Sequence, residues 1–283
     1  MSDPTAVDVT VVVPCYNHGH FLREAIESAE RSRGVRYEII VVDDGSTDRA
    51  TLDVMARLRR DGYQVVSHEE NRGVSAARNT GIAKAQGRYI LPLDADNRIR
   101  PDYLRLGVSI LDRAPTVGVV YGDIEYFGED TGRITTPEFS LERLMIDNIV
   151  DNCAVFRRAI WEDCGGYDTE MPDRLGYEDW DFWLQAAERG WGFVRIPEVM
   201  LDYRVRSDSM VRACRIPENH RRLVAYLAMK HRDFYAAHLP EILALARRTE
   251  HLEVTFRNMK RSAFWRARSV YVRLRRLFDR SWS

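Results

Sequence analysis

Two aspartates that directly follow an apolar run are the residues best placed to do chemistry in this 283-residue chain. The run covers residues 89–93, and Asp94 and Asp96 come after it. Side chains of an extended backbone repeat every second residue, so these two carboxylates point to the same side. A hard divalent cation such as Mg²⁺ or Mn²⁺ suits this pair, because it prefers oxygen ligands and shares them with phosphate. The alternative is a solvated turn, since Asp and Asn are common turn residues.

The elements that must position these carboxylates alternate along the first 121 residues. Apolar, β-branched runs predict strands at 9–13, 37–42, 63–67, 89–93 and 117–121, and helical patterns lie between them at 21–29, 51–58, 75–85 and 103–111. This alternation predicts a mostly parallel central sheet with helices on both faces. Ligands of such sheets bind outside the carboxyl ends of the strands. Polar residues stand at three of these ends, at 14–17, at 43–44 and at 94–96.

The regular alternation of predicted strands and helices ends at about residue 121. Residues 123–136 read as irregular or antiparallel strand, 178–189 as an amphipathic helix and 199–205 as a last strand. From residue 216 onward the pattern is mostly helical.

Composition narrows the class of protein. Apolar content of 45% and charged content of 30% are typical of a globular chain. The four scattered cysteines form no metal-binding or disulfide spacing, and neither a signal peptide nor a long apolar segment is evident. We therefore expect a cytoplasmic protein. From Arg212 onward there are 17 Lys and Arg against 6 Asp and Glu, a net +11, which leaves −12 for the preceding residues given the total of −1.

Five motifs occur in order along the chain: Val11-Val12-Val13-Pro14-Cys15-Tyr16-Asn17, Val41-Val42-Asp43-Asp44-Gly45-Ser46-Thr47-Asp48, Asn71 to Gly81, the Asp94/Asp96 pair, and Gly176-Tyr177-Glu178-Asp179-Trp180-Asp181. Together they closely resemble the glycosyltransferase family 2 enzymes, over about residues 8–206. The resemblance implies a GT-A fold, a sugar-nucleotide donor, a divalent metal and inversion at the anomeric carbon. We therefore expect a catalytic domain at 1–210, with a donor half at 8–122 and an acceptor half at 123–210, and a basic helical extension at 211–283.

The resemblance implies a set of donor-binding residues: Pro14, Tyr16, Asp43, Asp44, Arg78 and Asp94. Tyr16 would stack on or contact the base, and Asp44 would accept the imide N–H of uracil. Asp43 could contact ribose or form a turn. Arg78 would offer its forked donors to the diphosphate, or else fix its helix by a salt bridge. Residues 45–48 read as a turn and helix cap.

The same resemblance implies that Asp96 binds Mn²⁺ or Mg²⁺ directly and that Asp94 contacts ribose or metal-bound water. The catalytic base is expected to be Asp179, with Glu178 as the second choice, because both begin the 178–189 helix, where its dipole favours a carboxylate. On the acceptor side, Trp180 could pack against a sugar ring or in the core, and Asp123 could face the acceptor.

One position departs from the family pattern. Many members have a metal-binding His after the last strand, whereas this chain has Arg206. A guanidinium stays protonated and cannot bind a metal. Either the cation depends on Asp96, the diphosphate and water, or Arg206 itself neutralises the diphosphate.

The C-terminal segment predicts a basic amphipathic helix. Its apolar stripe is Phe264, Ala267, Tyr271, Leu274 and Phe278, and its arginines lie mostly off that stripe. Such a helix suits an anionic membrane surface at the inner face of the cell membrane, or packs on the body or a partner. No motif supports a nucleic-acid partner.

The sequence thus predicts an inverting, metal-dependent glycosyltransferase of the hexosyltransferase type. It would move a sugar, from a UDP-sugar, to a hydroxyl group of a glycan or a lipid-linked saccharide. Two other hypotheses are a non-catalytic sugar-nucleotide-binding or scaffold protein on the same fold, and a nucleotidyltransferase. The base candidates Glu178 and Asp179 argue against the first. The absence of a Gly-rich basic loop after the first strand argues against the second.

Overall fold

The computed structural model describes residues 6–261, which divide into two compact units. The first unit includes the residues up to Phe234, and the second begins at Tyr235. The basic amphipathic helix predicted at 264–278 lies outside the described residues.

The N-terminal part of the first unit alternates strands and helices as expected. Its elements are β1 (Val9–Cys15), α1 (Gly19–Glu30), β2 (Tyr37–Asp43), α2 (Arg49–Arg60), β3 (Gln64–Ser67), α3 (Val74–Ile82) and β4 (Tyr89–Pro92). β3, β2, β1 and β4 lie side by side in that order, and every pairing among them is parallel. All seven residues of β1 are buried, which is why its sequence is a nearly continuous apolar run.

The rest of the sheet is mixed. Its elements are β5 (Arg98–Ile99), α4 (Tyr103–Arg113), β6 (Val117–Gly128), β7 (Gly132–Ile134), α5 (Leu141–Leu144), β8 (Val155–Arg157), α6 (Arg158–Cys164), α7 (Glu178–Glu188) and β9 (Gly192–Val205). The sheet continues from β4 through β8, β6 and β9 to β5, and β7 pairs with β6. β8 is antiparallel to both of its neighbours, so the sheet is parallel in its first four strands and mixed beyond them.

The central pair of this second half is longer than its sequence pattern indicates. β6 continues past the predicted end at residue 121 to Gly128, and β9 begins at Gly192 rather than at 199. The two strands pair in parallel with register shifts around Asp123. These irregularities, together with polar residues inside both strands, break the period of two that predicts a strand.

Helices follow the sheet in the C-terminal part: α8 (Met210–Cys214), α9 (Pro217–Lys230), α10 (Arg232–Ala237) and α11 (Leu239–Arg261). α9 buries Leu223 and Leu227 completely, so it packs as part of the first unit. α11 belongs to the second unit. Among the helices of residues 6–261, none combines the length and apolarity needed to cross a bilayer.

Close packing holds α3 against the sheet. A Cβ atom at Gly81 would lie 2.4 Å from a methyl carbon of Val12 in β1, closer than real carbon atoms approach. Only glycine therefore allows α3 to lie this near to β1. The contact fixes the helix that carries Arg78 relative to the strands that carry the aspartates.

Candidate active site

The polar ends of three parallel strands lie at one edge of the sheet. Cys15 of β1 pairs with Asp43 of β2, and the backbone N–H of Leu93 donates to the Val12 carbonyl at 2.9 Å, so the segment after β4 continues beside β1. Asp94 and Asp96 follow immediately, and their side chains are 32% and 20% exposed. The convergence expected from the strand order is therefore present.

Arg78 connects this edge to the helix that carries the base candidates. Its side chain is 4% exposed, and it donates to Asp94 Oδ1 at 2.9 Å and to Glu178 Oε1 at 2.5 Å. With its amide oxygen turned toward the guanidinium, Asn152 accepts from Arg78 Nη2 at 3.1 Å, while the Tyr167 ring lies 5.5 Å away. One buried cation thus holds two carboxylates from distant parts of the sequence.

A strained turn positions the start of α7. Gly176 has φ +125° and Tyr177 has φ +64°, so two consecutive residues adopt positive φ just before the helix. A Cβ atom at residue 176 would lie 2.8 Å from Cys214 Sγ, so both the backbone and the available space require glycine there. Glu178 and Asp179 follow as the first residues of α7.

Burial and hydrogen-bond donors act in opposite directions on the pKa of Asp179, and burial has the larger effect. Asn148 Nδ2 donates to its Oδ2 at 2.8 Å, and the Trp180 backbone N–H donates to its Oδ1 at 2.8 Å. Burial, followed by the charge of Glu178, raises the pKa of Asp179 to about 7. Burial also raises the pKa of the neighbouring Asp151 to about 6. A carboxyl group that titrates near neutral pH can take up a proton at physiological pH.

Arg206 lies against the second aspartate of the pair. Its Nη1 donates to Asp96 Oδ2 at 3.0 Å, and it makes two hydrogen bonds of 2.8 Å to Asp208. Burial and the charge of Asp94 raise the pKa of Asp96, while Arg206 opposes that shift. His18 Nε2 lies 3.1 Å from Arg206 Nη2, and burial together with Arg206 lowers the pKa of His18. A neutral imidazole can therefore accept a hydrogen bond from the Arg206 guanidinium.

Asp44, the predicted uracil acceptor, is 3% exposed and mostly bonded within the protein. Its Oδ1 lies 2.6 Å from His68 Nδ1 and accepts from the Arg72 backbone N–H at 3.0 Å. Its Oδ2 accepts from the Gly73 backbone N–H at 2.8 Å, and His68 Nε2 lies 2.9 Å from Thr80 Oγ1. A carboxylate has about four acceptor positions, so Oδ2 retains one for a ligand.

The other predicted donor residues are distributed around the same strand ends. Asp43 accepts from the Ser46 backbone N–H at 3.0 Å and from the Ser67 hydroxyl at 3.2 Å, which is a turn-forming role. Pro14 is buried within β1, and Tyr16 is 41% exposed directly after it. The Tyr16 ring is therefore accessible to a ligand.

Asp48 accepts from the Thr51 backbone N–H at 2.8 Å and caps α2. The helix cap expected in the 45–48 segment is therefore confirmed.

The two residues predicted on the acceptor side are bonded within the protein. Trp180 is 1% exposed, and its indole N–H donates to the Leu144 carbonyl. Asp123 is 1% exposed and accepts from Arg195 Nη2 at 2.6 Å and from Arg133 Nη2 at 2.9 Å. Contact of either residue with an acceptor stays a prediction.

Several site residues lie where the sequence analysis identified none: His68, Asn148, Asp151, Asn152 and Tyr167. Three of them lie in the segment directly before β8. Because β8 is antiparallel to β4, its beginning lies at the edge where β4 ends. The signal available in the sequence was the apolar run at 153–156, but its direction in the sheet could not be read from it.

The aspartate pair suits a divalent cation only in part. Asp94 Oδ1 is bonded to Arg78 and Asp96 Oδ2 to Arg206, while the second oxygen of each carboxylate accepts no side-chain hydrogen bond from the described residues. Residues 6–261 contain no cluster of three or more His, Cys, Asp and Glu side chains of the kind that holds a metal. The site therefore offers two hard oxygen donors and leaves the remaining coordination positions to a bound phosphate and water.

Comparison with known proteins identifies similar sequences. The model of the family described as "Glycosyl transferase family 2" matches residues 10–164. A succinoglycan biosynthesis protein, ExoO, of Rhizobium meliloti (strain 1021) is 42% identical over 111 residues, which is 39% of this chain and 31% of the relative. Glycosyltransferase GlyG of Streptococcus pneumoniae serotype 4 is 34% identical over 150 residues, 52% of this chain and 50% of the relative. The chain thus spans half or less of the length of these two relatives.

Two solved structures have a similar fold. S. aureus TarS 1–349 in complex with UDP-GlcNAc superposes with a TM-score of 0.65 at 20% identity, over 79% of this chain and 67% of that one. The mannosyltransferase PcManGT of Pyrobaculum calidifontis, in complex with GDP-Man and Mn²⁺, superposes with a TM-score of 0.58 at 22% identity. The match covers 95% of this chain and 85% of the mannosyltransferase chain.

Proposed function

Because the chain belongs to glycosyl transferase family 2, we propose that it is an inverting glycosyltransferase that uses a nucleotide-diphosphate sugar. The predicted family and the predicted GT-A fold are both confirmed. The donor is a UDP-sugar, and the acceptor is a hydroxyl group of a glycan or of a lipid-linked saccharide. The names of ExoO and of a teichuronic acid biosynthesis glycosyltransferase, TuaG of Bacillus subtilis, support polysaccharide biosynthesis as the setting.

The observation that carries this proposal is the bridge made by Arg78. It joins Asp94, at the end of a strand in the predicted donor half, to Glu178, which is adjacent to the base candidate. A transferase needs a donor site and a base within reach of one sugar carbon, and a binding protein needs no base. The bridge holds these two parts together.

Asp179 is the proposed base. It takes the proton of the acceptor hydroxyl, the acceptor oxygen forms a bond to the anomeric carbon, and the bond from that carbon to the diphosphate oxygen breaks. The electron pair of the broken bond leaves with the nucleoside diphosphate, and configuration is inverted because the acceptor oxygen attacks the face opposite the leaving group. Its raised pKa, about 7, makes Asp179 a stronger base than an ordinary aspartate while leaving part of it ionised at neutral pH.

The diphosphate is expected to lie beside Asp94 and Asp96. Their unbonded oxygens would hold Mn²⁺ or Mg²⁺, an ion that would supply Lewis-acid stabilisation of the leaving diphosphate. Arg206 contributes a fixed positive charge next to Asp96, where the leaving group gains negative charge. The structure of the mannosyltransferase with GDP-Man and Mn²⁺ supports divalent-ion use on this fold.

We assign recognition of the nucleobase to Asp44 and Tyr16. The remaining acceptor position on Asp44 Oδ2 suits the imide N–H of uracil, and the exposed Tyr16 ring offers a face for stacking. The complex of TarS with UDP-GlcNAc supports a uridine nucleotide, although the fold also accepts GDP-Man in the mannosyltransferase. An N–H contact with Asp44 selects uracil or thymine over bases that lack a ring N–H, and a donor panel separates UDP- from GDP-sugars.

The decisive experiment is nucleotide release from a panel of UDP-, GDP- and dTDP-sugars, with Mn²⁺, Mg²⁺ or chelator, in the presence of glycan acceptors. We expect turnover with a UDP-sugar and a divalent ion, and its near-complete loss in Asp96→Ala. Binding of donors without turnover of any of them would favour the scaffold hypothesis instead. Asp102→Ala, an exposed aspartate at the start of α4, is the matched control and should keep full activity.

A further inference from the structure

A groove with a volume of about 670 Å³ opens along α9 and the residues just before it. Its basic residues are Arg215, His220 and Arg221, and Val224, Ala225 and Ala228 form an apolar wall. Among the described residues that line it, none carries a carboxylate. We call this the α9 groove.

Within residues 6–261, no ion pair neutralises the arginines of the α9 groove. Arg215 and Arg221 are both exposed, and neither makes an ion pair with any residue whose contacts the structure describes. The neighbouring Arg222, outside the groove, pairs with Asp173. Guanidinium groups gathered without acids at a concave surface form a site for an anion, because their forked donors match carboxylate and phosphate oxygens.

The α9 groove is attached directly to the turn that precedes the proposed base. His220 Nδ1 lies 2.9 Å from the Tyr177 hydroxyl, and the Cys214 thiol donates to the Leu175 carbonyl at 2.7 Å. Tyr177 precedes Glu178 and Asp179 in sequence. Arg215 directly follows Cys214 in the sequence, so the backbone carries this cation close to the same turn.

We propose that the α9 groove binds an oxyanion, a phosphate or a carboxylate, carried by the acceptor saccharide. This inference rests on the proposed function, because only a transferase has an acceptor. A neutral saccharide would leave two arginines unused, whereas an anionic one pairs with them while its C–H faces pack on Val224, Ala225 and Ala228. The groove then selects the acceptor and holds it beside Asp179.

The test compares the full chain with Arg215→Gln/Arg221→Gln. A control of equal charge change is Arg57→Gln/Arg60→Gln, two exposed arginines of α2 without an ion pair among the described residues. Saturation-transfer NMR titrations, with UDP in excess, use glucose 1-phosphate, tri-galacturonate and neutral maltotriose as probes. We expect at least one anionic probe to bind, with affinity about tenfold weaker in the groove variant and unchanged in the control. The two anionic probes distinguish phosphate from carboxylate.

Three results would overturn the inference. The first is that neither anionic probe binds the full chain, and the second is equal affinity in the full chain and the groove variant. The third is that the variant loses binding to phosphatidylglycerol vesicles but not to the saccharides, which would make the groove a membrane contact. A separate calorimetric titration with UDP tests the donor site. UDP binding without saccharide binding refutes only the groove, whereas groove-dependent saccharide binding without UDP binding refutes only the proposed donor.

Discussion

Glu178 and Asp179 are adjacent in the sequence, but they have different hydrogen-bond partners and therefore different roles. Glu178 is bonded to the guanidinium of Arg78, so its charge is committed to a structural bridge. Within the part of the chain that the structure describes, Asp179 accepts hydrogen bonds from two neutral donors, Asn148 and the Trp180 backbone N–H, and its pKa is raised. Of the two, Asp179 is therefore the one that can exchange a proton with a substrate.

Replacing this residue should stop proton transfer without disturbing the bridge. Asp179→Asn keeps the size of the side chain, and we expect kcat to fall by about 10²- to 10⁴-fold, the usual contribution of a general base. Donor affinity, measured by calorimetry with UDP, should stay unchanged. An Asp179→Asn enzyme with more than a tenth of normal kcat would contradict the assignment.

The raised pKa of Asp179 also predicts how activity depends on pH. A base must be ionised, so protonation below its pKa of about 7 removes the active form. We expect kcat/KM to fall about tenfold per pH unit below pH 7 and to level off above it. Rates measured from pH 5 to pH 9 test this, with circular dichroism as the control for folding. A profile that is flat down to pH 5 would show that the pKa of the base is not raised.

Arg206 is bonded to Asp96, and we expect it also to bind the donor diphosphate. Arg206→Ala should weaken UDP binding about tenfold, the value of one charge-assisted hydrogen bond. Asp208→Asn removes an exposed partner of Arg206 but leaves the guanidinium in place, so it is the matched control. If calorimetry gives the same affinity for Arg206→Ala as for the unchanged protein, Arg206 has no phosphate role.

At the scale of single residues, the sequence was most informative where a side chain follows an apolar strand. Asp44, Asp94 and Asp96 could be placed at one sheet edge because parallel strands end together. Asn148 and Asn152 could not be placed at that edge from the sequence, because they precede an antiparallel strand whose direction depends on its neighbours. The raised pKa of Asp179 could not be predicted from the sequence either, because it depends on burial and on the neighbouring charge of Glu178.

At the scale of elements, a buried network ties α7 to α9 and the residue that follows it. Asp181 is 0% exposed and accepts from Lys230 Nζ at 2.9 Å, while His231 Nε2 lies 3.0 Å from its other oxygen. Gln185 Nε2 donates to it at 2.8 Å. The sequence alone does not reveal this network, because Lys230 is 49 residues away from Asp181.

Breaking this network should destabilise the fold. Asp181→Ala removes the buried carboxylate that Lys230 and His231 share, while Asp168 and Glu188 stay as their partners, and we expect the free energy of unfolding to fall by about 3 kcal/mol. Glu188→Gln, which removes an exposed partner of His231, should cost less than about 1 kcal/mol. Chemical denaturation monitored by circular dichroism measures both changes. Equal stability of the two variants would show that the buried network contributes little.

At the scale of the whole molecule, the division into units shows where the excess of basic residues lies. From Tyr235 onward the chain carries 11 Lys and Arg against 4 Asp and Glu. The division into units shows that residues up to Phe234 form a compact body that includes α9. A cut near Ile216 would remove the buried Leu223 and Leu227, so Phe234 is the better end point for a truncated protein.

The truncated protein tests the predicted membrane contact. We expect the full chain to sediment with phosphatidylglycerol vesicles at low salt, and the protein ending at Phe234 to remain in solution. Binding should weaken at about 0.5 M salt, because exposed charges are screened at that ionic strength. Vesicles of phosphatidylcholine provide the neutral control. Equal sedimentation of both proteins would remove the membrane role from the C-terminal segment.

The position of β8 limits how this catalytic body can be recombined with others. The strand of residues Val155–Arg157 lies between β4 and β6 and pairs with both, so a segment from the predicted acceptor half completes the sheet of the donor half. A chimaera joined near residue 122 would therefore bring a foreign strand into the middle of the sheet. Exchange of acceptor preference between relatives is better attempted by transplanting surface residues of α9 than by swapping halves, since the two halves share one continuous sheet.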